Sequence, residues 1–181
     1  MSDLDTRCLD AFPEWLRTLG ADVAALFAVV DDTAQPESVR RRAATAVNYL
    51  FRSLDLIPDG IEDLGFIDDA FVFRAAAALA LNEEPGAKEQ AVLERLSDEA
   101  KLVAEFLGDD YQRLETFVDS MAKRPARGRS ADEILESGEI RAELGTEVRA
   151  WADSYVVPGF TREQKTLVKL RSFLSQKLPN S

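Results

Sequence analysis

Residues 66–82, FIDDAFVFRAAAALALN, constrain the fold more than any other stretch of the chain. At about 100° per residue their apolar side chains cover every side of a helix, and such a helix is stable only when other elements surround it. The expected fold is therefore all-α, a multi-helix bundle with this helix near its centre. Three charges interrupt the apolar surface, Asp68, Asp69 and Arg74, and they point in three directions. Burying an unpaired charge costs several kcal/mol, so each needs a partner. Asp68 and Asp69 fall in the first turn, where free N–H groups and the helix dipole favour negative charge. Arg74 has no such answer, and pairing with Asp55 or Asp59 from the preceding loop is predicted.

The rest of the chain supplies the surrounding helices, because Ala, Leu, Glu and Arg are abundant and strand-like alternation is hard to find. Residues 3–31 read as one or two helices, with a break at Gly20 and Pro13 in a first turn. Residues 36–53 place Val39, Ala43 and Val47, with Leu54 beyond them, on an apolar face, and Arg41, Thr45, Asn48 and Arg52 on the opposite side. The consecutive Arg40, Arg41 and Arg42 splay around that helix, as a solvated charge run or as a contact for phosphate or an acidic partner. Further helices are expected at 87–107 and 109–123. Ser130 with Glu133, and Thr161 with Gln164, match capping boxes that would start helices at 131–155 and 161–178. This amounts to about six to eight helices in one domain spanning 1–181. The segment 123–131, KRPARGRSA, is basic and rich in helix breakers. It marks a mobile loop, or the boundary of a C-terminal helical subdomain at 130–181. Trp15 lies off the apolar stripe of its helix and is expected at the rim.

Composition removes several function classes. The chain has no histidine, which excludes His-based triads and His-ligated zinc. A formal net charge of −11 disfavours nucleic acid and anionic lipid as partners. The single cysteine, Cys8, fits a reducing compartment, and the acidic N-terminus lacks the pattern of a signal peptide. A cytoplasmic protein is the expectation. The longest apolar run, Ala75–Leu81, is far below the roughly 20 residues that span a bilayer. The basic amphipathic segment 161–178 docks on the acidic body, or as an alternative lies on a membrane surface.

Between the second helix and the central one, residues 54–69 carry Asp55, Asp59, Glu62, Asp63, Asp68 and Asp69 among Leu, Ile and Phe. Two readings stand. In the first the loop is structural: Leu56, Ile57, Ile61, Leu64 and Phe66 enter the core, and the aspartates cap helices or pair with Arg74, Arg52 or Arg40. In the second the carboxylates converge and a hard divalent cation, Mg²⁺, Mn²⁺ or Ca²⁺, resolves their repulsion. The ligands would be Asp55, Asp59, Asp68 and Asp69, although their spacing is not that of an EF-hand. A hydrolase acting on phosphoesters would further need a metal-activated water. No nucleophile or phosphate-binding glycine loop accompanies the acids, so no catalytic or cofactor-binding residue is assigned.

The order Tyr49, Leu50, Asp55, Leu56, Ile57, Pro58, Asp59, Ile61, Leu64, Gly65, Asp68, Asp69 resembles the YkvA-like family, a domain of unknown function. The likeness runs over residues 49–72, within a motif region of about 36–82. The chain departs from the family pattern at Ser53 and Glu62, where proline is usual, and at Gly60, where an aromatic is usual. What the resemblance implies is a small helical domain without an assigned activity. The expectation is thus a helical interaction or scaffold domain with an unnamed protein partner, in which the acidic loop is structural, rather than an enzyme. A divalent-metal-binding domain is the alternative from another class.

Overall fold

In a computed structural model the chain is described over residues 1–52 and 55–180; Ser53 and Leu54, the latter expected on an apolar face, lie outside the described residues. Among the described residues there are nine α-helices and no strand. They are α1 (Asp3–Arg17), α2 (Leu19–Asp31), α3 (Glu37–Tyr49), α4 (Ile67–Glu83), α5 (Ala91–Leu107), α6 (Asp110–Met121), α7 (Ala131–Glu136), α8 (Gly138–Ser154) and α9 (Gln164–Lys177), with a 3-10 turn at Pro85–Glu89. None is long and apolar enough to cross a membrane.

As its all-round apolar surface requires, α4 is the axis of the bundle, flanked by α1, α3, α5 and α6. Every residue from Ile67 to Ala77 is buried. Phe71 of α4 meets Phe12 of α1 and Phe106 of α5 edge to face, with ring centroids 5.1 and 5.9 Å away. This geometry sets the positive edge of one ring against the negative face of the next.

Several helix boundaries differ from the sequence expectation for local reasons. Ser2 and Asp5 form a reciprocal capping box, so α1 begins at Asp3 and Pro13 sits inside it rather than in its first turn. The break before α2 falls at Thr18, with Gly20 within the helix. Ser137 caps α8 by accepting the Ile140 N–H at 3.2 Å, which divides the expected 131–155 helix into α7 and α8. These breaks raise the helix number above the six to eight expected. Ser130 does cap α7, accepting from the Glu133 N–H at 3.2 Å. Thr161 caps nothing; α9 starts three residues later.

Residues 130–180 pack into the same apolar core as the N-terminal helices. Leu144, Val148, Leu167, Leu170 and Leu174 are all buried there. The buried leucines of α9 therefore face the body, and the cations Arg162, just before the helix, and Arg171, within it, reach Asp10 and Asp5. The 123–131 segment is pinned as well. Arg129 is buried, pairs with Glu147, and accepts the Asn48 side-chain N–H on its carbonyl at 3.0 Å. That contact and α7 cover the side of α3 expected to be solvated, which is why Thr45 and Asn48 are buried. The arginine triplet divides three ways: Arg40 donates to the Val30 carbonyl, Arg41 pairs with Glu37 and Asp132, and Arg42 with Glu83 and Asp119.

Arg74 is fully buried, and its partners are not Asp55 or Asp59. Its guanidinium stands 2.7 Å from Glu99 and 3.8 Å from Asp22, and lies 3.9 Å above the ring of Trp15. Asp22 is also held by Arg95 at 2.5 Å, so two arginines and two carboxylates share one network that runs from the buried Arg74 and Asp22 out to the surface at Arg95. Five residues along α4 turn Arg74 well away from the face carrying Asp69, toward α2 and α5. Trp15 is buried rather than at the rim because it is the apolar floor under that cation. Burial lowers the Arg74 guanidinium to about 10, with Glu99 and Asp22 opposing the fall, so it stays charged at neutral pH. Removing one partner of a buried pair strands the other charge. Arg74→Ala is expected to destabilise the protein by about 3 kcal/mol or more in urea unfolding, against under about 0.5 kcal/mol for an exposed control such as Lys101→Ala.

Candidate functional site: the acidic loop at the head of the central helix

The loop between α3 and α4 is joined to both helices by its own motif residues. The Tyr49 hydroxyl, at the end of α3, donates to Asp68 Oδ2 at 2.6 Å and accepts the Leu56 N–H at 2.8 Å. The Ile57 N–H adds a second donor to Asp68 Oδ2 at 3.3 Å. Leu56, Ile57 and Leu64 are buried beneath, as the structural reading of the loop expects. The chain then turns tightly, with the Gly65 N–H on the Ile61 carbonyl at 3.1 Å. A Cβ at Gly65 would stand 2.4 Å from the Asp59 carbonyl oxygen, so only glycine fits. Asp63 and Phe66 adopt left-handed backbone angles, φ 67° and 65°, which non-glycine residues hold only when their surroundings compel it.

The C-terminal part of the chain supplies that compulsion. Asp63 Oδ1 accepts both the N–H and the hydroxyl of Thr161, at 3.1 and 2.7 Å. Lys169 of α9 donates to the Glu62 carbonyl at 3.1 Å. The Phe66 ring packs edge-on to Trp151 and Tyr155, with centroids 5.7 and 5.6 Å away. The extended strap 155–163 thus crosses over the loop. Asp63, Thr161 and Tyr155 went unrecognised in the sequence, and the signal that existed, Thr161 three residues before Gln164, pointed to a helix cap instead.

The four aspartates expected as ligands do share one region. Asp68 and Asp69 are fully buried in the first turn of α4, Asp55 is half-buried, and Asp59 is exposed on the crest of the loop. Burial, then the charges of Asp68, Asp55 and Asp59, pushes the Asp69 carboxyl well above its ordinary range. Asp68 is also raised by burial, against the opposing hydrogen bonds from Tyr49 and Ile57. Asp55 is pushed up to about 8 by burial and then by Asp68 and Asp59, with Arg52 pulling the other way. Burial raises the Tyr155 hydroxyl too, and the charge of Asp69 adds to it.

Among the described residues, both oxygens of Asp69, Oδ1 of Asp68 and Oδ1 of Asp55 have no hydrogen-bond partner. Among the described residues no three acidic, cysteine or histidine side chains surround a common point closely enough to hold an ion as they stand. No family model, no curated protein and no solved structure matches the chain.

A carboxyl raised by folding binds its proton more tightly in the native state than in the unfolded chain. Its contribution to stability is present below the unfolded value near 4 and is lost as pH rises through the native value. The melting temperature should therefore decline between about pH 4 and pH 8, the window set by Asp55, and Asp55→Asn should flatten that decline. Thermal melts across this range check it. Gly65→Ala is expected to cost about 1–3 kcal/mol, because the new Cβ meets backbone rather than a side chain that can turn aside.

Proposed function

We propose that the protein is a helical interaction scaffold of the cytoplasm whose acidic loop is an internal keystone, and that it shares the YkvA-like design its residues 49–72 resemble. The observation carrying this reading is that the most distinctive segment of the sequence is committed to internal contacts on both sides. Tyr49, Leu56, Ile57 and Asp68, all motif positions, form one hydrogen-bonded unit joining α3 to α4. Asp63, Glu62 and Phe66 then attach the strap and α9 to that unit. The loop is the joint through which the C-terminal helices are held against the axis of the bundle, leaving the outer faces for a protein partner.

A protein partner is favoured over a lipid surface because Leu167, Leu170 and Leu174 of α9 are buried, Arg171 is engaged with Asp5, and Arg162 before the helix reaches Asp10. Cys8 is consistent with a cytoplasmic setting: it is buried, and burial pushes its thiol up to about 11, where it is unreactive.

A double-mutant cycle on Asp63→Ala and Thr161→Val tests the keystone. A coupling of about 1 kcal/mol or more is expected, since the pair is charge-assisted and partly buried. The single variants should also lose hydrogen-exchange protection in α9 before the rest of the molecule. Additive effects with unchanged exchange would refute the joint. Cross-linking mass spectrometry in cells tests the interaction half: recurrent links from one face to one protein support it, and links spread evenly over the surface overturn it.

A further inference from the structure

The basic segment that stands out in the sequence takes no part in the keystone. From Ser120 to Ala131 the cations Lys123, Arg124, Arg127 and Arg129 occur with no acid among them, in a chain of net charge −11. The fold makes this stretch a fixed hairpin. Ala126 and Arg129 exchange both backbone hydrogen bonds, at 2.9 and 3.1 Å, around a two-residue turn in which Arg127 and Gly128 hold φ 51° and 78°. Arg127 and Arg129 both pair with Glu147, and their guanidinium carbons stand 5.2 and 5.7 Å from the centre of the Phe51 ring. Arg124, which leads into the hairpin, also lines a groove of about 240 Å³ between α6 and the end of α9. Phe117 and Pro179 give this groove apolar surface, Thr116 and Ser120 give it hydroxyls, and Lys177 is its second cation. Nearby Arg42, Arg113 and Arg127 are each taken by an acid of the chain. Lys123, Arg124 and Lys177 are exposed and make no ion pair among the described residues.

We infer that this groove, with the basic hairpin beside it, docks an acidic segment of a partner protein. Arg124 and Lys177 meet carboxylates of the segment, Lys123 and Arg127 extend the positive field, and an apolar side chain between the acids rests on Phe117 and Pro179. The groove is smaller than the roughly 300–1,000 Å³ of small-molecule sites, which suits a side chain or two of a segment lying across it. The hydroxyls favour a peptide over a phosphate. Thr116 and Ser120 already donate, to the Gln112 and Phe117 carbonyls at 3.0 and 2.7 Å, so toward a visitor their oxygens act as acceptors. A peptide brings backbone N–H donors to them and carboxylates to the cations, whereas a phosphodiester brings acceptors alone. Long-range charge works in the same direction. A net charge of −11 repels the extended field of a nucleic acid or an anionic membrane, while a short acidic segment responds to the cations within a Debye length of about 8 Å. The docked segment is the partner that the scaffold reading calls for, and it depends on that reading.

Fluorescence anisotropy of a labelled Asp-Glu-Leu-Asp-Glu-Leu peptide, titrated with the full chain, tests the site. Saturable binding that weakens with added salt is expected. Arg124→Glu and Lys177→Glu should each weaken it at least about fivefold. Arg17→Glu, on α1, changes the net charge by the same amount and should leave it unchanged. All three positions are exposed, so the variants should keep the wild-type melting transition. A peptide with serine in place of both leucines should bind less tightly, since it has nothing to lay on Phe117 and Pro179. Absence of saturable binding, or an equal loss in Arg17→Glu, would overturn the groove. Displacement of the peptide by inorganic phosphate or a short DNA duplex at no higher concentration would overturn it in favour of a phosphate ligand. Self-association of the chain that Arg124→Glu abolishes would give the groove to a second copy instead. Cross-links in cells that recur on another face sink the groove and leave the scaffold reading standing; links spread evenly over the surface sink both.

Discussion

The structure depends on how α4 keeps charge in the centre of an apolar bundle. A helix buried on every side provides the largest single share of the core, but it also carries Asp68, Asp69 and Arg74 out of water. Arg74 and Asp68 have recruited surroundings that would otherwise lack a reason. Trp15 lies flat under Arg74, Asp22 is buried two helices away to face it, and Glu99 approaches from α5. At the other end Tyr49 is turned inward and the loop backbone is bent so that its N–H groups meet Asp68. Replacing buried ion pairs by apolar residues is often neutral or stabilising, so such networks are not a cheap source of stability. Here their effect is positional: they fix which way α4 is rotated among its neighbours.

The two ends of α4 are handled differently. Around Arg74 the charges balance, two arginines against two carboxylates. Around Asp69 they do not balance. One carboxylate is well served by donors and its neighbour has none among the described residues, although both occupy a helix N-terminus where N–H groups are free. The left-handed turns at Asp63 and Phe66 hold the intervening chain in shape, and they rely on Thr161, Trp151 and Tyr155 from far along the sequence. The loop is thus braced from outside, while burial and mutual repulsion raise its innermost carboxyls.

Local signals carried much of the architecture. The all-round apolar character of 66–82 identified the axis of an all-helical bundle, and the burial of Leu56, Ile57 and Leu64 followed from their spacing among the acids. The four aspartates near α4 were legible as a group because they lie within one short loop and the turn after it. The boundaries were less legible, since a cap is decided by competition. Ser2 with Asp5 fixed the start of α1 at the expected Asp3 and so left Pro13 inside the helix, and Thr161 gave up a capping role for a carboxylate 98 positions away.

Short range and periodicity thus encode the helices, the one helix that had to be central, and the need of its buried charges for partners. Who those partners are follows from how the helices pack. Arg74 chose Asp22 and Glu99 over the nearer Asp55 and Asp59 because five residues of helix turn it to the side where α2 and α5 pass. Separation along the chain says nothing about that angle until the helices are packed. The same packing, by taking Arg74 away, left the acidic loop without the arginine its sequence led one to expect.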